Sequence, residues 1–97
     1  MKELLLTSIG GPESFTLRDA DPRAPGPNEI VVRNAAIGVN FIDIYQRTGL
    51  YPVSVPAVLG QEAAGVVTAA GAGAPFEPGD RVAYMGAGAY AEETVTD

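Results

Sequence analysis

The sequence predicts a mainly β domain, a small barrel or partly closed sandwich with one short helix near residues 40–48. Three observations carry this. Short apolar, β-branched runs recur along the 97 residues, separated by Gly- and Pro-containing turns. Only one stretch, GVNFIDIYQRTGLYP (Gly38 to Pro52), joins helical spacing to helix start and stop signals. No apolar run approaches the ~20 residues of a membrane-spanning helix.

The elements follow in order. Leu4 to Ile9 reads as a first strand, closed by Gly10-Gly11-Pro12. Phe15 to Arg18 alternates apolar and polar residues, as a strand with one wet face does, so the two form a hairpin across GGPES. The acidic stretch DADPRAPGPNE follows; its prolines deny ladder donors and make it a loop. Glu29 to Val39 reads as a long strand. After the helix, YPVSVPAVLG contains two prolines that favour extended chain. Ala63 to Ala70 is small, β-branched and interrupted by Gly65, the pattern of a tightly packed strand. PFEPGD turns the chain into the strand RVAYM, and Tyr90 to Thr96 is the last strand.

Within the helix, Asn40 suits the N-cap, where its side-chain oxygen can accept a first-turn N–H. Asp43 stands three residues on, where a carboxylate reaches back to the cap and meets the positive helix end. Asp43 and Arg47 have i, i+4 spacing, worth ~0.3 kcal/mol. Gly49 fits the position just past the end, where φ is often positive. Phe41, Ile44 and Tyr45 share a face expected to pack. A helix of about two turns does not hold itself in water and must dock.

Composition excludes several chemistries. The chain has no Cys and no His, so disulfides, thiolate chemistry, Ser–His or Cys–His nucleophiles and Cys- or His-ligated zinc are all ruled out. Six basic against 12 acidic residues, a net charge of −6, disfavours nucleic acid and anionic membrane surfaces as partners. MKELLLTSIGG has too short an apolar patch for a secretion signal and no cleavage region, so a cytoplasmic location is expected.

Two motifs have plain alternatives. MGAGAYA matches G-x-G-x-x-A, but a dinucleotide site needs a following helix and a later acid. The residues after it are EETVTD, so a Gly-rich turn between strands is the expected structure. Glu62, in LGQEAAGVV, is a carboxylate between apolar residues; it reads as a strand-end residue before it reads as a functional acid.

Taken together, GGPES, PGPNEIVVRNAAIGVNFIDIYQRTGLYP, VLGQEAAGVV, PGDRV and GAGAYAEE, in this order and spacing, resemble the N-terminal catalytic domain of the medium-chain dehydrogenase/reductase superfamily. They most resemble its zinc-free, ζ-crystallin-like quinone oxidoreductases. The resemblance covers essentially the whole chain. It implies a GroES-like, partly open β-barrel and hydride transfer from NADPH to a quinone or enone. Zinc-dependent relatives carry Cys where this chain has Asn40 and His where it has Gln61, so a metal-free reaction is implied. Asn40, Phe41, Ile42, Asp43 and Tyr45 match positions lining the NADPH cleft, and Asn40, Tyr45 and Tyr51 are the expected catalytic positions. Family members continue into a Rossmann domain that holds most cofactor contacts. The 97 residues thus correspond to an incomplete catalytic domain, expected to be inactive alone.

Two other roles suit the same fold. One is a binding or assembly module like the heptameric co-chaperonins, though their long mobile loop has no counterpart in this proline-rich segment. The other is a non-catalytic remnant that self-associates, or binds a separate Rossmann partner, through apolar surface around Tyr45, Tyr51 and Val53 to Val55.

Overall fold

In the computed structural model, which describes residues 1–97, the chain begins as the expected hairpin. β1 (Lys2–Leu6) pairs antiparallel with β2 (Phe15–Asp19), with Leu6 opposite Phe15 and Lys2 opposite Asp19. A 3₁₀ turn at Pro12–Ser14 joins them. β1 ends at Leu6, earlier than the sequence suggests. Beyond it the chain turns toward the helix, where the Gly10 N–H donates to the Arg47 carbonyl at 2.8 Å.

β3 (Ile30–Ile37) is the centre of the larger sheet. It pairs antiparallel with β5 (Glu62–Ala70) on one side and β7 (Glu93–Thr96) on the other, and β5 pairs with β6 (Arg81–Met85). The register of β3 on β5 shifts between Val31 and Val32 and between Asn34 and Ala36. Between those shifts the strands approach very closely: a Cβ on Gly65 would lie 2.0 Å from the Arg33 carbonyl oxygen. Glycine is therefore required at this point in AAGVV.

The smaller sheet runs β2-β1-β4, where β4 is only Ala57–Val58. The two prolines leave the remainder of YPVSVPAVLG extended and largely unpaired. Both sheets stay open. They meet at one seam, a bridge between Glu3 and Ala91 with the Leu4 N–H donating to the Tyr90 carbonyl at 2.9 Å. The mainly β architecture with a single helix is as expected, with two open sheets where a barrel wall would otherwise close.

The core is small. Ile30, Val32 and Val67 form its centre, with Ala74, Val82 and Tyr84 against them. Full burial of such side chains stabilises the fold by about 1.5–3 kcal/mol each. Asn34 ties this sheet to the seam: its Nδ2 donates to the Ala91 carbonyl at 2.9 Å and to Thr94 Oγ1 at 3.0 Å. Its Oδ1 accepts the Tyr84 hydroxyl at 2.8 Å. The last strand consequently begins at Glu93 rather than Tyr90, because residues 89–91 serve as this knot.

Glu3 is the most deeply buried charge, 1% exposed. Its Oε1 accepts Arg18 Nε at 2.8 Å, and Arg23 Nη1 lies 3.8 Å from its Oε2. Arg18 is its direct cross-strand partner, so register and charge agree.

Candidate active-site wall

The single helix, α1, spans Phe41–Thr48. Asn40 is its N-cap in extended conformation, and Gly49 closes it with φ 86°, the left-handed position foreseen from the sequence. The Asp43 half of the capping box carries the start: the Asn40 N–H donates to Asp43 Oδ2 at 3.0 Å.

The helix docks by the opposite face from the one its apolar spacing suggests. Asp43, 2% exposed, is its one buried residue, whereas Phe41, Ile42 and Ile44 are exposed. The physical reason is the strength of the polar anchors. Hydrogen bonds to an ionised group are roughly twice as strong as neutral ones, and two turns offer little apolar area to compete. Tyr90 Oη donates to Asp43 Oδ2 at 2.6 Å. At the other end Arg47 Nη1 donates to the Gly10 carbonyl at 2.8 Å. The expected Asp43–Arg47 pair does not form, because each side chain is engaged elsewhere.

The Tyr90 phenol is pushed well above its ordinary pKa. Burial is the largest cause, followed by the hydrogen bond it donates to Asp43 and by that carboxylate's negative charge. Tyr90 therefore stays protonated and is committed to Asp43. The sequence places Tyr90 at the start of the last strand and assigns it no part in the site. The usable signal was a tyrosine among small residues, an amphipathic ring whose hydroxyl seeks a partner when buried.

The outward side of α1 forms an aromatic wall. The Phe41 and Tyr45 rings stack with centroids 6.3 Å apart, and Tyr51 meets Tyr45 edge-on at 5.3 Å. The Tyr51 N–H donates to the Tyr45 carbonyl at 3.1 Å, holding the post-helix turn against the helix. Phe41 is 75% and Tyr51 48% exposed. Of the four tyrosines, Tyr84 and Tyr90 spend their hydroxyls on Asn34 and Asp43. Those of Tyr45 and Tyr51 make no hydrogen bond within the chain. Such a surface offers planar π faces and two uncommitted phenol donors to a flat carbonyl compound.

The structure thus brings together Asn40, Phe41, Asp43, Tyr45 and Tyr51, with Ile42 beside them. Asp43 is buried, its Oδ2 shared by the Asn40 N–H and the Tyr90 hydroxyl. Gln61 stands at the start of the β5–β6 ladder, its carbonyl accepting the Gly86 N–H at 2.9 Å. The GAGAYA run is a turn of this kind and no helix follows it. Glu62 opens β5 as an exposed residue, its side chain lying over Gly38. It borders an open groove of about 580 Å³ between Ile37 and Met85 that none of the wall residues lines.

Two open β sheets with one capped helix make this a GroES-like domain of the alcohol dehydrogenase class. Residues 26–97 match the alcohol dehydrogenase GroES-like domain, and the chain belongs to that family. It is 50% identical over 95 residues to a quinone oxidoreductase of Pseudomonas aeruginosa, covering 94% of this chain and 29% of the relative. Among solved structures, the quinone oxidoreductase of Pseudomonas syringae pv. tomato superposes with a TM-score of 0.90 at 51% identity, over 97% of this chain and 30% of that one. The Escherichia coli quinone oxidoreductase complexed with NADPH superposes with a TM-score of 0.94 at 43% identity, over 98% of this chain and 30% of that one. The chain therefore spans about 30% of the length of the oxidoreductases it matches.

Proposed function

We propose that this chain forms the nicotinamide- and acceptor-facing wall of an NADPH-dependent, zinc-independent reductase of quinones or enones. The observation that carries the reading is the exposed Phe41–Tyr45–Tyr51 wall with two phenols free of internal partners. It is supported by similarity to quinone oxidoreductases, one of them complexed with NADPH.

NADPH, when bound, supplies the hydride. The chain's own residues bind and orient. Phe41 and Tyr45 offer a flat apolar face that holds a planar ring and keeps water from it. Tyr45 and Tyr51 donate hydrogen bonds to the acceptor carbonyl as negative charge develops on its oxygen. Asn40, at the start of α1, supplies an amide for the polar edge of the cofactor ring, and Ile42 packs beside it. The residues present suit such a site: neutral donors and π faces, with no nucleophile required.

The test is a graft. This chain replaces the matching segment of the P. aeruginosa quinone oxidoreductase, and NADPH oxidation is followed with 1,4-benzoquinone. The graft is expected to turn over, and the 97-residue chain alone is expected not to exceed a buffer blank. A folded but inactive graft would count against the reading.

Exposure of Val39 (74%) and Leu50 (66%) beside the wall favours a second role for the same face, self-association. Sedimentation of the chain at micromolar concentration separates this from a monomer.

A further inference from the structure

We infer that Tyr90 is a positioning residue for the wall: it fixes Asn40, and with it the start of α1, through a single oxygen of Asp43. The inference rests on the functional reading above for its consequence, but its geometry stands independently.

Asp43 Oδ2 accepts two hydrogen bonds, from the Tyr90 hydroxyl at 2.6 Å and from the Asn40 N–H at 3.0 Å. Tyr90 and Asn40 are therefore linked by one shared acceptor. Tyr90 is itself tied to the backbone of neighbouring segments. Its N–H donates to the Leu59 carbonyl at 2.9 Å, and its carbonyl accepts the Leu4 N–H at 2.9 Å, so its backbone is fastened at the seam of both sheets. Its ring stands 6.1 Å from that of Phe15, and it lies over the backbone of Gly60, where a Cβ would come within 2.7 Å of Tyr90 Cδ1.

The helix has few other restraints at this end. Its apolar residues face outward, and its second anchor, Arg47 on Gly10, is at the far end. The phenol of Tyr90 thus transmits the rigid sheet seam to Asn40. Because its hydroxyl is spent on Asp43, it acts by placement and not by giving a proton to substrate. A small displacement of a substrate-holding group can cost far more in rate than in affinity.

The experiment compares the 97-residue chain with Tyr90→Phe by amide hydrogen exchange, read residue by residue by NMR. The Asn40 amide is expected to exchange about tenfold faster in the variant, while amides of the β3–β5 ladder are unchanged. Arg47→Ala serves as the control, expected to leave Asn40 protected. If Tyr90→Phe does not fold, Asp43→Asn, close in size and lacking the charge, is expected to give the same local loss. In the graft, Tyr90→Phe is expected to lower kcat about tenfold with KM for quinone within about twofold. Unchanged Asn40 exchange in the folded variant would overturn the inference, whatever the graft does. Faster exchange in an inactive graft would leave the positioning link standing and remove the proposed function instead. Faster exchange with undiminished kcat would overturn the catalytic consequence.

Discussion

Gly10 and Arg47 exchange two hydrogen bonds: the Gly10 N–H donates to the Arg47 carbonyl at 2.8 Å, and Arg47 Nη1 donates back to the Gly10 carbonyl at 2.8 Å. A loop of the first hairpin and the last turn of α1 are thereby fastened to one another. Arg47→Ala removes the charged half of this exchange. It is expected to destabilise the chain by about 1–2 kcal/mol. Urea denaturation should show the lower midpoint with an unchanged slope.

The other anchor gives a prediction in pH. Burial, then the hydrogen bond to Asp43 and that carboxylate's charge, hold the Tyr90 phenol above its ordinary pKa in the folded chain. Its protonated form is favoured by folding, so this contribution to stability is fully present below the unfolded pKa near 10 and is lost as pH rises through the higher folded value. The tyrosinate absorbance near 295 nm should show one residue ionising late and together with unfolding. Asp43→Asn removes the carboxylate charge that faces the phenol and should bring that ionisation back toward the ordinary range.

The two members of the buried ion pair are expected to be unequal. Arg18→Ala leaves the Glu3 carboxylate enclosed, with Arg23 at 3.8 Å as its remaining cationic neighbour. A loss of roughly 3 kcal/mol is expected, as for an uncompensated buried charge. Glu3→Gln leaves Arg18, whose side chain is 45% exposed, free to turn to water. The smaller loss, about 1–2 kcal/mol, follows. Denaturation midpoints of the two variants should rank in that order.

Gly65→Ala should be the most damaging of the small changes. A Cβ 2.0 Å from a backbone carbonyl in the central strand pair has no side chain to push aside. The two strands must separate locally, and the loss expected is above about 3 kcal/mol, at the edge of what a small domain tolerates. Circular dichroism and solubility at 25 °C suffice as the readout.

Much of the fold was legible because local signals and tertiary packing agreed. RVAYM became β6 without change of boundary, and the GGPES turn produced the hairpin, since period-two alternation and turn residues act over a few positions. Asn40, Asp43 and Gly49 took the helix-end positions that their chemistry favours. What was not legible depended on partners distant in sequence. No pattern within α1 reveals that its carboxylate is matched by Tyr90, 47 positions later, and that match reverses the docking face. The same holds for the knot around Asn34, whose partners lie 50 or more positions away. Of the site, the residue types and their clustering were readable; Tyr90, working behind the wall, was not.

The proposed reduction depends on the uncommitted phenols of Tyr45 and Tyr51, and one measurement addresses them directly. In the graft, kcat/KM for NADPH-dependent quinone reduction is compared before and after the paired substitution Tyr45→Phe and Tyr51→Phe. Neither hydroxyl bonds within the chain, so the thermal midpoint is expected to stay within about 1 °C, while kcat/KM falls at least about tenfold through loss of oxyanion donors. An undiminished kcat/KM in the stably folded double variant would show that these phenols do not serve the acceptor carbonyl.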